Sequence, residues 1–370
     1  MRLIKVFLML ILSLGLTFSL AAQDKKTDDD DELRIDTELV DVPFVVTDKA
    51  GKPLLNLKQS NFIVYEDGKR QEITDFNATA APFEIALLLD TSGSTRSDLP
   101  LIQRAAENFI ASLRPGDRVS IVAYESRIKN NKSTSMSEVL SDLTDDQSKL
   151  KNVLAGLTTS NGTPYYDSLL QVVGTVFSQP PKDEFRGRRA LVALTDGVDS
   201  TSSGDFEEAR EQLAQAGIVS YFIQIDTREE FEENLLGDCS SEMMRFSKAQ
   251  IKRYYGMFDA KANIEKISDF CQLGDFERLA ISKRLYELAD SEMNTLAQSS
   301  GGKVFPVADL SEARLAFKKV ADEIGTKYSL GYYPSNDKRD GTYRKIKIEL
   351  KGIPAGAQIR AREGYAAPKN

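Results

Sequence analysis

The feature that most constrains the fold is an alternation of short apolar segments with helical patterns between residues 83 and 327. Five segments have the composition of buried strands: Phe83–Asp90, Arg118–Tyr124, Arg189–Thr195, Val219–Asp226 and Val304–Pro306. Six segments have helical periodicity: Leu101–Leu113, Asp146–Leu157, Pro164–Phe177, Phe206–Ala216, Tyr286–Ser299 and Leu310–Lys327. Strands that alternate with helices form mostly parallel sheets that are covered on both faces. We therefore predict a doubly wound α/β domain over residues 81–327.

The segments on either side of this domain have β patterns. Residues 37–80 contain an alternating apolar segment and a hairpin signature, Glu66-Asp67-Gly68-Lys69. Residues 328–370 contain further strand patterns, from Tyr328 to Tyr333 and from Tyr343 to Leu350. Each segment has too few strands to be stable alone, and chain termini commonly lie close together. We therefore predict that the two segments pair into one small β-sandwich, into which the α/β domain is inserted.

The alternation is interrupted at about residues 228–285. This stretch is charged and mostly helical in propensity, and it contains Cys239 and Cys271, the two cysteines of the chain. We interpret it as an insertion after the strand Val219–Asp226, which either packs on its own domain or contacts a partner. In an exported chain, two cysteines more often form a disulfide than remain free, and this one would contribute about 3–4 kcal/mol. Spacing alone does not decide between these alternatives.

The first 22 residues have the pattern of a secretory signal peptide. Arg2 and Lys5 precede an apolar stretch from Val6 to Leu20, and the small residues Ala21-Ala22 follow. The alternative is an uncleaved anchor, because about 17 apolar residues approach the lower limit for spanning a bilayer. We expect a charged flexible tether at residues 23–36 and no stable membrane span after cleavage. The protein is then exported, either to the periplasm or to the cell surface and medium.

Composition argues against several classes of function. The formal net charge is −8 without basic patterning, which argues against a nucleic-acid partner. The chain has no histidine, which excludes a Ser-His-Asp triad and removes the commonest general base. It also has neither a G-x-S-x-G elbow nor a G-x-x-x-x-G-K-[ST] loop. We therefore expect a protein that is not an enzyme.

Three segments carry oxygen-bearing side chains at the predicted carboxyl edge of the sheet. The apolar run Ile85–Leu89 leads into Asp90-Thr91-Ser92-Gly93-Ser94, Asn161-Gly162-Thr163 opens a helical pattern, and Leu191–Leu194 leads into Thr195-Asp196-Gly197. In an open α/β sheet the loops that follow the strands converge at this edge. For one segment alone, capping of a helix explains the same residues equally well. Together they predict one site formed by Asp90, Ser92, Ser94, Thr163 and Asp196.

The five side chains offer only oxygen atoms, which favours a hard divalent cation. We expect Mg²⁺, with Mn²⁺ or Ca²⁺ as alternatives. If one carboxylate acts through water, the cation is incompletely neutralised and attracts an outside anion. Thr91, Thr195 and Asp199 are candidates for hydrogen bonds to the ligands. Asp167, one turn beyond Thr163, is another candidate, although the helix dipole accounts for an aspartate in a first turn.

The divided pattern Asp90-x-Ser92-x-Ser94, Thr163 and Asp196 resembles the metal-ion-dependent adhesion site (MIDAS) of von Willebrand factor type A (VWFA) domains, whose fold is Rossmann-like. The resemblance covers roughly residues 81–327. It implies that the hydroxyls bind the metal directly or through water, that the aspartates complete its shell, and that a carboxylate of a protein partner supplies the last ligand. Asn161 departs from the glycine of many members, which restricts the loop before Thr163.

Two flanking motifs carry a closer resemblance. They are Asn61-Phe62-x-Val64-Tyr65-Glu66-Asp67-Gly68 and Arg360-Ala361-Arg362-x-Gly364-Tyr365, and they look like exported bacterial proteins described as VWFA-related acidobacterial-type domains. This resemblance implies an architecture and does not name a partner.

We expect a metal-ion-dependent protein-binding or adhesion module outside the cytoplasm. One alternative is a scaffold subunit of an envelope assembly with a structural metal. A second is a metal-dependent hydrolase, because an apolar strand that ends in aspartate also opens the site of haloacid dehalogenase-like enzymes. Those enzymes have an aspartate where this chain has Ser92. The sequence leaves the partner, the cation and the oligomeric state open.

Overall fold

The computed structural model describes residues 39–77, 82–93, 98–129, 132–239, 245–258, 270–353 and 355–369, which belong to one compact unit. The predicted signal peptide (1–22), the predicted tether (23–36) and the predicted ligand Ser94 lie outside these ranges. Within them, none of the helices combines the length and the apolar composition that crossing a membrane requires.

The strands in the described ranges are β1 (Val40–Thr47), β2 (Phe62–Glu66), β3 (Lys69–Gln71), β4 (Asp75–Asn77), β5 (Glu84–Leu89), β6 (Arg118–Lys129), β7 (Lys132–Val139), β8 (Arg189–Thr195), β9 (Val219–Ile225), β10 (Lys303–Val307), β11 (Tyr328–Tyr332), β12 (Tyr343–Leu350), β13 (Gln358–Ala361) and β14 (Gly364–Ala366). The α-helices are α1 (Leu99–Ser112), α2 (Gln147–Ala155), α3 (Tyr165–Gln171), α4 (Phe206–Gln215), α5 (Arg228–Glu233), α6 (Lys248–Gly256), α7 (Asp275–Ser300) and α8 (Ala313–Gly325).

A six-stranded sheet of order β10-β9-β8-β5-β6-β7 forms the centre of the α/β part. Its neighbouring strands are parallel, apart from the antiparallel pair β6 and β7. Residues of α1, α2 and α8 pack on one face, and residues of α3, α4 and α7 pack on the other. Strands β5 and β8 are therefore buried at every position, which is why they are continuous apolar runs in the sequence. The predicted doubly wound, mostly parallel sheet is confirmed.

Two elements differ from the sequence pattern. Strand β7 was not predicted, because Lys132–Val139 contains few apolar residues and pairs with β6 at the edge of the sheet. The predicted helix Tyr286–Ser299 is only the second half of α7, which begins at Asp275. The two halves of α7 pack against different partners. Ile281, in the first half, packs against residues of the stretch 228–285, whereas Met293, in the second half, packs on the sheet.

The two ends of the described chain form two four-stranded antiparallel sheets, of order β13-β1-β11-β4 and β14-β12-β2-β3. Each sheet combines strands from before and after the α/β part. Their facing sides share one apolar core, in which the ring of Phe44 lies 4.8 Å from that of Phe62 and 5.5 Å from that of Tyr328. The predicted β-sandwich of N- and C-terminal segments is confirmed.

A buried carboxylate of the N-terminal segment binds side chains of the C-terminal segment inside the sandwich. Glu66 in β2 accepts hydrogen bonds from the hydroxyls of Tyr332, at 2.9 Å, and Tyr365, at 2.8 Å. The guanidinium of Arg344 lies 3.4 Å from the same carboxylate, and both charged side chains are buried. Burial and the nearby carboxylate together raise the pKa of both tyrosines, so their hydroxyls remain donors.

We call residues 228–285 the helical insertion. Its described residues include α5, α6 and the first half of α7, which share an apolar cluster with Val198 of the α/β domain. Cys239 and Cys271 form a disulfide across it. The buried guanidinium of Arg278 donates to the carbonyls of Leu235 and Gly237, each at 2.9 Å. The helical insertion is thus packed on its own domain by the apolar cluster, while the disulfide and the buried guanidinium hold its own segments together.

Candidate metal centre

Asp90 and Asp196 follow neighbouring strands at the same edge of the sheet. The register of β5 and β8 pairs Leu89 with Leu194, so both chains leave the sheet at one level. The carboxylate of Asp90 accepts hydrogen bonds from Thr195 Oγ1 at 2.7 Å and from the backbone N–H of Ser92 at 3.0 Å. These donors hold the carboxylate of Asp90 in one orientation.

The carboxylate of Asp196 is oriented by a residue that the sequence patterns did not single out. Its Oδ1 accepts from the N–H of Val198 at 2.9 Å, and its Oδ2 accepts from Thr227 Oγ1 at 2.6 Å. Thr227 lies 2.8 Å from the hydroxyl of Tyr286 in α7. Thr227 comes just after β9, the strand next to β8 in the sheet. Its place in a loop beside the predicted site is the sequence feature that could have identified it.

Thr163 is bound directly to the loop that follows Asp196. Its N–H donates to Ser200 Oγ at 2.8 Å, and the N–H of Ser200 donates to the Thr163 carbonyl at 2.9 Å. Asp199 accepts from the N–H of Tyr165 at 3.0 Å, at the start of α3. This reciprocal pairing sets the position of Thr163 relative to Asp196.

Asp167 braces the same loop from the side of α3. Its carboxylate accepts from the N–H groups of Ser203 and Gly204, with the shortest contact at 2.9 Å. The N–H of Asp167 in turn donates to Ser202 Oγ at 3.1 Å. Asp167 therefore orders the loop that carries Ser200, in addition to its favourable place near a helix N-terminus.

The two candidate carboxylates are buried in a poorly solvated edge. Burial raises the pKa of Asp90, while hydrogen bonds from Ser92 and Thr195 oppose the shift. Burial raises the pKa of Asp196 as well, and the nearby charge of Asp90 raises it further. Burial also raises the pKa of Asp199 to about 6, against the hydrogen bond from Ser202. Two carboxylates at this edge thus repel each other in the charged form.

A cavity of about 260 Å³ opens at the edge. Ser92, Thr163 and Asp196 line it together, whereas Asp90 is almost fully buried beside Thr195. The donor set fits a divalent cation, because it combines two close carboxylates with hydroxyl oxygens. Asp90, Ser92, Thr163 and Asp196 would hold the ion. The described ranges contain no group of three or more acidic, cysteine or histidine side chains that could hold a metal ion, so the candidate centre depends on hydroxyl oxygens beside its two carboxylates.

Gly197 is required by the backbone between Asp196 and Val198. Its φ of 73° lies in the left-handed region, and a Cβ atom there would come within 2.9 Å of Met293 Cε. A side chain at this position would strain the backbone and force the Met293 side chain to shift.

Solved structures show low similarity to the chain. The conserved hypothetical protein BatB from Bacteroides thetaiotaomicron is 15% identical, with 65% of this chain and 98% of that one covered and a TM-score of 0.37. A von Willebrand factor type A protein from Catenulispora acidiphila is 11% identical, with 90% and 75% covered and a TM-score of 0.42. Proximal thread matrix protein 1 from the mussel byssus, described with a zinc-occupied MIDAS motif, is 14% identical, with 70% and 49% covered and a TM-score of 0.41.

Similarities at this level add no argument about function. Among curated proteins, none matches the chain significantly. The family model of the von Willebrand factor type A domain matches residues 85–198, roughly a third of the chain, and this segment includes all five predicted site residues. Residues 85–198 therefore match a von Willebrand factor type A domain.

Proposed function

We propose that the protein is a metal-ion-dependent protein-binding or adhesion module, which binds an acidic group of its partner through a divalent cation. The observation that carries the proposal is the convergence of Ser92, Thr163 and Asp196 on one cavity, from three loops far apart in the sequence. We propose Mg²⁺ as the cation, with Mn²⁺ and Ca²⁺ as alternatives, and a protein carboxylate as the group bound.

Hydrogen bonds within the protein already orient the two carboxylates of the site. Thr195 and the Ser92 N–H orient Asp90, and Thr227 and the Val198 N–H orient Asp196. Outer hydrogen bonds of this kind fix the direction of ligand oxygens. When bound, the cation would supply a coordination position for the carboxylate of the partner.

We also propose that the protein works outside the cytoplasm and has no enzymatic activity. The signal-peptide pattern of residues 1–22 supports export, and so does the disulfide between Cys239 and Cys271, because such bonds persist in oxidising compartments. The absence of histidine from the sequence supports a binding site. The terminal sandwich is compatible with the proposed kinship to VWFA-related acidobacterial-type proteins.

The test is capture of partners from an envelope extract by the immobilised protein, in Mg²⁺ and then in chelator. We expect a set of proteins that is retained in Mg²⁺ and released by the chelator. Asp90→Ala and the near-isosteric Asp90→Asn should lose this set, and circular dichroism should show that both variants fold. Asp322→Ala is the matched control, because Asp322 is an exposed carboxylate on α8. Capture that persists in chelator or in both Asp90 variants would contradict the proposal.

The wild type and the two Asp90 variants also distinguish the proposed binding module from a scaffold subunit with a structural metal. A ligand that binds the folded state stabilises it by about 2.7 kcal/mol at 100 times its Kd. Strong thermal stabilisation by Mg²⁺, without a metal-sensitive partner, would favour a structural metal in an assembly subunit.

A further inference from the structure

Two groups of residues line the cavity at the candidate metal centre. The loops of the sheet edge contribute Ser92, Thr163 and Asp196, and the chain from α5 to α7 contributes Phe231, Arg245, Gln250 and Tyr286. We call these four residues the wall. At about 260 Å³ the cavity lies below the ~300–1,000 Å³ of pockets that hold whole small molecules. Its size fits one or two side chains of a partner segment.

The wall is held in place by the core of the helical insertion. Phe246, which follows Arg245 directly, is buried between the rings of Phe231, at 5.7 Å, and Phe270, at 5.8 Å. The neighbouring Gln250 is itself buried in the first turn of α6. The backbone that carries Arg245 is therefore anchored, while its side chain remains exposed.

The wall is also connected to the loops of the sheet edge. The hydroxyl of Tyr286 lies 2.8 Å from Thr227 Oγ1, which donates to Asp196 at 2.6 Å. Val198, two residues beyond Asp196, belongs to the same apolar cluster as Phe246 and Tyr286. A partner segment that enters the cavity thus meets residues of both groups, which the structure connects to each other.

The charges of these two groups differ. Among the described residues that line the cavity, Asp196 carries a carboxylate and Arg245 a guanidinium. A guanidinium matches a carboxylate in shape and forms paired, charge-assisted hydrogen bonds with it. The same cavity offers apolar contact through the rings of Phe231 and Tyr286 and the side chain of Val198.

We propose that Arg245 determines the specificity of the site by binding a second acidic group of the partner. The inference rests on the proposed function, in which a first carboxylate completes the cation. The site then prefers a protruding acidic segment, a turn or a chain end with two nearby carboxylates, to a lone carboxylate. The helical insertion serves as a selectivity element of this domain.

The experiment measures the affinity of blocked synthetic peptides for the full chain by calorimetry, in Mg²⁺ and in chelator. One peptide contains a single aspartate, and three contain two aspartates separated by zero, one or two glycines. We expect at least one peptide with two aspartates to bind the wild type about 10-fold more tightly than the single-aspartate peptide, as a charge-assisted pair allows. Arg245→Gln should abolish this preference, so that peptides with one and with two aspartates bind the variant with equal affinity.

Two further variants sharpen the result. Arg245→Glu should reverse the preference, towards a peptide in which lysine replaces the second aspartate. Lys252→Gln is the matched control, because Lys252 is an exposed cation on α6 that does not line the cavity. Its preference should equal that of the wild type.

The possible failures are distinguishable. Equal affinity of the wild type for one and two aspartates, or a preference that survives in Arg245→Gln, overturns the inference while Mg²⁺-dependent binding upholds the proposed function. Peptide binding that ignores the chelator, or no peptide binding in Mg²⁺, overturns the proposed carboxylate chemistry and the inference with it.

Discussion

Thr227 donates a hydrogen bond of 2.6 Å from its hydroxyl to Oδ2 of Asp196. The two residues are 31 positions apart and follow the adjacent strands β9 and β8. The hydroxyl of Tyr286 contacts the same Thr227 oxygen, at 2.8 Å. One threonine therefore joins a candidate metal ligand to the longest helix of the described chain.

Replacing Thr227 by valine should weaken Mg²⁺ binding about 10-fold, because loss of an outer hydrogen bond to a ligand costs about 10- to 100-fold in metal affinity. Thr227→Ser retains the hydroxyl and should bind Mg²⁺ as the wild type does. Calorimetric titration with Mg²⁺ measures both. Thr227 makes no side-chain cap to α5, so the valine removes no helix cap. Equal affinities of the valine and serine variants would contradict the prediction.

The disulfide should contribute measurably to stability. It joins residues 32 positions apart, and the chain-entropy model gives about 3–4 kcal/mol for a loop of this length. The double variant Cys239→Ser/Cys271→Ser should lower the free energy of unfolding by about that amount in urea denaturation. Adding reductant should destabilise the wild type equally and leave the double variant unchanged. A wild type that is insensitive to reductant would show that the bond constrains little.

Glu66→Gln should destabilise the sandwich. It leaves the charge of Arg344 buried without its carboxylate, and breaking a buried ion pair costs about 3–5 kcal/mol. Chemical denaturation measures the change. Lys347→Gln is the control. It breaks the exposed ion pair between Lys347 and Glu349 on β12, the strand that carries Arg344, and should leave stability unchanged. Equal stability of the Glu66→Gln variant and the control would rule out a structural contribution of this network.

Lys327 should make stability depend on pH. The side chain is fully buried, its Nζ donates to the Gly301 carbonyl at 2.9 Å, and burial lowers its pKa from 10.5 to about 7. Between these values the unfolded chain binds a proton that the folded chain does not, so the free energy of unfolding increases as pH rises. Below about pH 7 both states are protonated and the cost of burying the charge is fully present.

Lys327→Met should therefore remove part of the increase in stability between pH 7 and pH 9. Denaturant titrations at intervals across this range give the slope for each protein. Lys318→Met, an exposed lysine of α8, should keep the slope of the wild type. Identical slopes for wild type and Lys327→Met would show that Lys327 does not titrate in this window.

Local patterns were sufficient for the main strands and for the composition of the site. Strands β5 and β8 are buried on both faces, so their whole length is apolar and each ends at a polar loop. The rule that such loops converge places Asp90, Thr163 and Asp196 at one edge, where the structure has them. Their assignment as metal ligands stays a prediction.

Edge strand β7 and the first half of α7 show where local patterns fail. Strand β7 is stabilised by backbone pairing with β6, which requires no apolar pattern. Helix α7 changes its buried partner along its length, from the core of the helical insertion to the sheet, so one helical stripe does not describe it.

The sequence alone determined the order of strands and helices, the oxygen-only chemistry at three separated loops and the lack of histidine. Tertiary structure alone decided that Cys239 and Cys271 are bonded, that Thr227 donates to Asp196 and contacts Tyr286, and that the helical insertion brings Arg245 to the cavity. The physical reason is the separation along the sequence of the residues that interact. Burial and periodicity act on neighbouring residues and leave a mark in the sequence, whereas a hydrogen bond or a cavity joins residues that only the folded chain brings together.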